Sequence, residues 1–370
     1  MKKICCYAKK ELSLQSKLIE MKRSILLIVC VWMALTGSAQ RTIVVEKSNA
    51  QSLLDAVSKA NELNADSLSE RLYILIPNGY YDLGDKVLTQ LTGHNIALIG
   101  QSTNGTIIRN CPDFKNEGIS KTAVFLNLGS DNYFQDMTLK DALDYYSCNA
   151  AGRGVTIQDK GTRTILNRVC MLSYQDTYYS WAETAQHYLV DCEIHGTVDF
   201  ICGAGDVWFE RCRIVTEKRT IDGKGHNVIA APRTSQTDWG FVFNHCTIEN
   251  IVSTFDYARG WHTHPRCAWL YTTLLSPEKL NKTRFDYHGM RTVQNDFKEY
   301  GTMDAQGNDI TPKSNVVTFE LKDERNPVET ILTAEEAARF TLDGVFTDWK
   351  PADIVKQTER QAKKLMKRLK

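Results

Sequence analysis

Between Ile96 and Leu275 the apolar positions fall into short runs separated by turn residues. They begin with Ile96–Ile99, Thr106–Ile108, Ala123–Leu126 and Tyr133–Leu139, and continue to Ala268–Leu275. Each run is too short for a helix and rich in β-branched and aromatic residues, which reads as strand. Inside them one frame recurs. Phe134-x-x-Met137-x-Leu139 is followed by Leu166-x-x-Val169-x-Met171, Leu189-x-x-Cys192-x-Ile194, Phe209-x-x-Cys212-x-Ile214 and Phe243-x-x-Cys246-x-Ile248. The middle residues of the frame are 32, 23, 20 and 34 positions apart. A unit of this length with insertions indicates a solenoid, and strands with no helices between them make it a parallel β-helix. Each coil buries its inward residues against the coils above and below. A β-sandwich gives similar runs but no reason for the frame.

The flanks read differently. Arg41–Glu46 is a strand by its β-branched content, and Ser52–Leu63 places Leu53, Leu54, Val57, Ala60 and Leu63 at helical spacing. Leu72–Pro77 is a fully apolar strand. After Leu275 the repeat fades. Leu332–Phe340 is a short helix, with Thr333 as cap and Glu336 three residues on. Asp353–Lys370 is a basic helix, expected to be a solvated terminal segment. The fold class expected is all-β, a parallel β-helix with a short N-terminal helix and C-terminal helices, the β-helix domain spanning 40–350 and the basic helix 351–370.

The amino terminus carries Met21-Lys-Arg, an apolar stretch Ile25–Leu35 and the small residues Gly37-Ser38-Ala39. This is the layout of a secretory signal peptide over 21–39. About eleven apolar residues are too few to cross a bilayer. Residues 1–20 do not resemble a targeting element, so Met21 is the expected start and the mature protein is expected outside the cytoplasm, periplasmic or secreted. Of the 11 cysteines, several fall at repeating apolar positions and are expected to be reduced core thiols. Cys192 and Cys212 could bridge if stacked. With a net charge of +1, the overall balance points to neither nucleic acid nor a membrane surface, and an acidic polymer would need local positive charge.

Candidate chemistry is concentrated in 172–214, which holds Tyr174-Gln175-Asp176-Thr177 and Gly196-Thr197-Val198-Asp199-Phe200-Ile201. Two carboxylates on neighbouring turns of a repeating structure are poised for acid–base or nucleophilic work. Asp also favours turns on its own account, and spacing alone leaves both readings open. His262-x-His264 with Cys267 lacks the second ligand pair of a zinc site, and Asp222–Asn227 is glycine-rich without a strand-to-helix context. No metal or cofactor is expected.

The paired motifs YQDT and GTVDFI resemble those of the pectin methylesterases, carbohydrate esterases that demethylate homogalacturonan. The resemblance extends from about Thr42 to Trp349. It implies a parallel right-handed β-helix, entered through a strand-and-helix cap, with Phe297–Gly301 and Asp304–Asp309 in the segment that leaves it. It also implies that Asp199 is the nucleophile, Asp176 the general acid and then base, and Gln175 an oxyanion donor. Ala258-Arg259-Gly260-Trp261 is similar to the family's Gly-Arg-Pro-Trp, so Arg259 should pair with Asp199, and Trp261 should form a platform for a sugar ring. Phe200 and Tyr178 are further expected substrate contacts, with Tyr179, Trp181 and Trp208 as candidates. Where the family carries a second oxyanion glutamine, this sequence has Arg153. An arginine there is expected to stabilise an oxyanion but also to favour ionised Asp176, weakening it as an acid. Pectin is the expected partner, and the protein is expected to be a monomer.

Other readings remain. A β-helix glycosidase also needs two carboxylates, but the Gly-His-Gly and paired-Asp pattern of polygalacturonases is absent, as is the carboxylate cluster of a calcium lyase. Arg153 keeps open a non-catalytic or altered-specificity pectin-binding solenoid.

Overall fold

Parallel pairing links almost every strand to the one a coil earlier and the one a coil later, giving the parallel β-helix expected from the repeat. The computed structural model describes residues 41–367 apart from 149–150, 235 and 289. The expected extension and signal peptide lie outside the described residues. Two faces of the coil stack merge into a 17-stranded sheet, because Tyr133–Asp141 and Thr164–Leu172 run through the bend between them. The third face is a 7-stranded sheet: Thr89–Leu91, Phe125–Asn127, Ile157–Asp159, Tyr178–Ser180, Val198–Gly203, His226–Pro232 and Thr254–Ala258.

The repeated frame is the inside of the coil. Phe134, Leu166, Leu189, Phe209, Phe243 and Trp269 are register partners in successive coils, all fully buried. The rings form a stack through the interior: Phe209 on Phe243 at 4.4 Å, Phe243 on Trp269 at 3.8 Å, and Trp269 on Tyr257 at 4.7 Å. Such contacts add to what burial alone contributes.

Within each frame the residue before the middle position has positive φ: Asp136 (54°), Arg168 (53°), Asp191 (52°), Arg211 (50°) and His245 (53°). One left-handed residue therefore turns the chain from one face to the next in every coil. This conformation costs a non-glycine residue about 1–2 kcal/mol. The corner residues interact along the stack, Arg168 with Asp136 at 2.6 Å, Arg211 with Asp191 at 2.9 Å, and His245 ring-stacked on Tyr271 at 4.9 Å. The cysteine that follows each of the last three corners is a free thiol, and it serves the backbone. Cys192 donates to the Leu166 carbonyl, Cys212 to Leu189 and Cys246 to Phe209, at 3.4, 3.6 and 3.5 Å. Cys192 and Cys212 are thus stacked neighbours without a bridge.

Helix Ala50–Leu63, capped by Asn49, lays Leu53, Ala56, Val57 and Ala60 over the open end of the first coils. At the other end the structure corrects the expectation. Asp296–Tyr300 pairs with Arg266–Leu270 and Met303–Asp304 with Thr273–Leu274, so this segment completes another coil instead of leaving the stack. A hairpin, Val316–Leu321 with Glu324–Glu329, follows. The Thr333–Glu336 capping box forms as read, on a single turn, Ala334–Ala337.

Helix Pro351–Met366 is not the solvated segment expected. Thr358, Ala362 and Leu365 are buried, and Leu365 belongs to a second core that holds Tyr133, Tyr188, Trp208 and Trp349. Arg71 donates to Thr358, and Glu359 accepts from Asn167 while pairing with Arg168. Small and short side chains carry the docking face, which is why the charged composition concealed it.

Phe243 sits between two stacked rings, so Phe243→Ala should destabilise the fold by about 3–5 kcal/mol. Urea unfolding followed by tryptophan fluorescence would show it as a lower midpoint. A loss under about 1 kcal/mol would mean that the coils do not share one packed interior.

Candidate active site

The two acidic motifs sit at the same point of neighbouring coils on the 7-stranded face. Asp176 precedes strand Tyr178–Ser180 and Asp199 lies in Val198–Gly203, whose Ile201 is the register partner of Tyr178. The motifs are also tied by hydrogen bonds: the Thr197 amide donates to the Tyr174 carbonyl at 2.8 Å, and the Thr177 hydroxyl to the His195 carbonyl at 2.7 Å. Both acids have positive φ, 61° at Asp176 and 52° at Asp199. The register against His226–Pro232 shifts between Val198 and Ile201, a bulge that re-aims the Asp199 side chain. Gly196 makes room for this arrangement, since a Cβ there would lie 2.2 Å from Phe200 Cβ.

A cleft of about 240 Å³ opens on this face, lined by Ile119, Arg153, Gln175, Asp176, Asp199, Cys202, Ala231, Arg259, Trp261 and Met290. Six of the residues singled out in the sequence therefore meet at one place: Asp176, Asp199, Gln175, Arg259, Arg153 and Trp261. Two do not. Tyr178 and Phe200 are fully buried and belong to the main interior cluster, Tyr178 edge-on to Phe209 at 6.1 Å. The bulge at Asp199 turns the acid outward and its neighbour inward, so neither ring can meet a ligand from the cleft. Trp208 lies in the second core and donates to Glu210 at 2.8 Å. Tyr179 is nearly buried, packed behind Trp261 at 6.0 Å.

The carboxyl environments differ. Asp199, 7% exposed, receives a bidentate fork from Arg259, Nε to Oδ1 at 2.8 Å and Nη2 to Oδ2 at 2.5 Å. Burial pushes its carboxyl up, and the guanidinium opposes that. Asp176, 5% exposed, has no such partner, only the Cys202 thiol at 3.6 Å. Burial, and then the charge of Asp199, push Asp176 well above the usual carboxylate range. The cleft thus holds one carboxylate paired to a cation and one acid that keeps its proton.

Arg153 forms a parallel bridge with Gln175, which places the two side by side at the cleft. Its guanidinium does not act as a bare charge on Asp176. Glu117, almost fully buried, accepts from Arg153 Nε and Nη2, both at 3.2 Å, and from its backbone amide at 2.9 Å. Arg153 favours the ionised form of Asp176, as expected, but burial and Asp199 outweigh it, and Glu117 pushes the other way. Sequence reading missed Glu117, which lies in an irregular loop, and Cys202, which lies in the GTVDFI strand but past the bulge that decides which way it faces.

Cys267 is buried in the main interior while His262 contacts Arg291 at 3.3 Å, so the His-x-His and Cys267 do not converge. Among the described residues no helix is long and apolar enough to cross a membrane.

Comparison with known proteins agrees with this geometry. The family model described as pectinesterase matches residues 42–275. Among curated proteins, probable pectinesterase/pectinesterase inhibitor 42 of Arabidopsis thaliana is 29% identical over 202 residues, 52% of this chain and 37% of that protein. Probable pectinesterase 50 of the same plant is 23% identical over 244 residues, 65% of this chain and 64% of that protein. The chain thus spans between about a third and two thirds of the length of these two relatives. Among solved structures, the pectin methylesterase from carrot superposes with a TM-score of 0.64 at 20% identity, covering 82% of this chain and 92% of that one. A pectin methylesterase crystallised with a hexasaccharide superposes at 0.63 and 21%, covering 83% and 97%. That from Erwinia chrysanthemi superposes at 0.62 and 21%, covering 80% and 93%. Sequence match and shared coil architecture lead to one conclusion: this chain belongs to the pectinesterase family.

Proposed function

We propose that this chain hydrolyses methyl esters of galacturonate units in pectin and releases methanol. The observation that carries the reading is the unequal pair of carboxyls in one cleft: Asp199 held by the Arg259 fork, and Asp176 buried without a cation of its own. Family membership supplies the reaction class, and these residues supply the parts.

In this reading Asp199 Oδ attacks the ester carbonyl carbon, and the carbonyl oxygen takes up negative charge. The Gln175 amide and the Arg153 guanidinium, side by side at the cleft, donate to that oxyanion. Glu117 engages Nε and Nη2 of Arg153, leaving Nη1 for the oxyanion. As the carbon–methoxy bond breaks, Asp176 gives its proton to the leaving oxygen and methanol departs. An acyl link joins the sugar carboxyl carbon to Asp199. Asp176, now a carboxylate, takes a proton from water, whose oxygen adds to the acyl carbon. The link to Asp199 breaks, Asp176 is again protonated, and the galacturonic acid product ionises into solvent. Arg259 holds Asp199 in the attacking orientation and stabilises the charge it regains. Trp261 offers an apolar face to a sugar ring. Export belongs to this proposal too, resting on the signal-peptide pattern in 21–39, since the substrate is a wall polysaccharide.

Three outcomes test the reading. Asp199→Ala should lower methanol release from highly esterified pectin by at least about a thousandfold while circular dichroism is unchanged. Wild-type rate in that variant would remove Asp199 from the chemistry. Arg153→Gln should keep release within about tenfold of wild type, whereas Arg153→Ala should lose about a hundredfold if Arg153 serves as an oxyanion donor. New reducing ends or an unsaturated product without methanol would instead indicate chain cleavage.

A further outcome concerns pH. Asp176 has a folded pKa raised above its unfolded value of about 3.9, so the native state binds the extra proton between the two. Stability from this group is complete below that window and falls as pH rises through it. Asp141, pushed up to about 8 by burial, adds the same slope to every variant that keeps it. Asp176→Asn cannot ionise. It should therefore match wild type at pH 4 and exceed it at pH 8 in thermal unfolding. An identical pH slope in both proteins would contradict the raised value.

A further inference from the structure

The cysteines of the repeated frame face the interior, but Cys170 does not. It lies between Val169 and Met171, both fully buried in the main core, so strand alternation turns it outward on the 17-stranded sheet. Its register partner in the next coil is Glu193, and Leu172 pairs with His195. Glu193 and His195 stand two residues apart in Glu193–Gly196 and share that outer face. Among the described residues, none that lines the cleft lies in a strand of this sheet.

Three ligand chemistries meet here. The Cys170 thiol, a Glu193 carboxylate oxygen and a His195 ring nitrogen all lie within 4.8 Å of one another. His195 is held between two carboxylates, Nδ1 with Glu217 Oε1 and Nε2 with Glu193 Oε1, both at 2.7 Å. A neutral imidazole has one N–H. If Nδ1 gives it to Glu217, Nε2 meets Glu193 with a lone pair, and a cation has to lie between them. A proton can serve, and so can a metal ion. The second arrangement is the general one for a metal-bound histidine, whose other ring N–H is fixed by a carboxylate. Glu193 is oriented too: Arg213 Nη1 holds its Oε2 at 2.7 Å, leaving Oε1 toward His195 and 4.0 Å from the thiol. Arg213 is itself paired with Glu249, which offsets its charge. A cavity of about 220 Å³ lined in part by Ser173, Tyr174, His195 and Glu217 adjoins the group and gives an ion a way in.

We propose that Cys170, Glu193 and His195 bind a zinc ion, with water as the fourth ligand and Glu217 orienting His195. Thiolate, imidazole and carboxylate together suit zinc, whereas calcium and magnesium take oxygen ligands. A tetrahedral zinc centre holds its ligand atoms about 3.5 Å apart, so rotation of the Cys170 and Glu193 side chains closes the group by about 1 Å. The two negative ligands match the charge of the ion, and binding releases the thiol proton and any proton between Nε2 and Glu193. The ion ties two adjacent coils together on their outer surface. This site is separate from the cleft and does not depend on the pectin reading. No spacing motif marks it in the sequence, because parallel register alone brings Cys170 to residues 23 and 25 positions further on.

The test uses the full chain without an affinity tag, with Co²⁺ and Zn²⁺ as probes. A thiolate bound to cobalt gives a near-ultraviolet charge-transfer band that nitrogen and oxygen ligands do not. Wild type should develop this band with one equivalent of Co²⁺ and lose it when Zn²⁺ is added. Cys170→Ser, a nearly isosteric change at a half-buried position, should abolish the band with circular dichroism unchanged. His195→Gln should weaken zinc binding at least about tenfold, and Glu217→Ala about tenfold through loss of ring orientation. Zinc at about a hundred times its Kd should raise the thermal midpoint of wild type and leave that of Cys170→Ser unmoved. No band in wild type, a band retained in Cys170→Ser, or equal zinc affinity in wild type and His195→Gln overturns the proposal.

Discussion

Main-chain register between successive coils is the constraint on which the rest of this structure depends. Each coil is closed by a corner residue held near φ 50–54°, so the next strand starts at a set height and phase. Residues distant in sequence then share one position on the stack. Asp176 and Asp199 are neighbours because Tyr178 pairs with Ile201, and Arg259 reaches Asp199 because its own strand lies two coils further on. A site built this way needs no long loops to converge. The cost is the left-handed conformation itself, carried at non-glycine residues. It is offset by the interior ring stack and by the charge pairs between corner side chains on adjacent coils.

The same rigidity separates two carboxyls that composition alone would make equal. Both are buried, and burial disfavours charge on each. Only Asp199 lies within reach of the Arg259 fork. Once Asp199 is charged, its field adds to the burial of Asp176 and keeps the second proton in place. The difference between the two carboxyls therefore comes from the position of one guanidinium.

Much of this was legible in the chain. The frame from Phe134 to Ile248 revealed the fold because inward residues of a stacked coil must be apolar at one phase. The paired motifs and Arg259 pointed to the cleft because the resemblance joined those side chains, and they line it together. Orientation was less legible. Phe200 and Tyr178 were expected in the cleft, yet a one-residue bulge at Asp199 reverses which neighbour faces out, and nothing in the local composition marks a bulge. The docking of Pro351–Met366 was hidden for another reason. Its contact face is built from Thr358, Ala362 and Leu365, too small and too polar on average to stand out among lysines. The segment after Leu275 adds a coil without the apolar frame, since the register partner of Trp269 is Glu299, a buried carboxylate held by Arg284 and Thr302.

Arg153 shows how a departure from a family pattern can be absorbed by its surroundings. A bare guanidinium beside Asp176 would favour the carboxylate and remove the acid. Here the arginine is held together with Glu117, whose side chain is 5% exposed and engages both Nε and Nη2. Seen from Asp176, Glu117 offsets part of the pull of Arg153. What reaches the cleft is hydrogen-bonding capacity in a fixed plane, the property a glutamine amide would bring. Arg153 and Glu117 therefore function as one unit. Removing Glu117 while keeping Arg153 would expose the charge that the pair conceals, and Asp176 would feel the change directly.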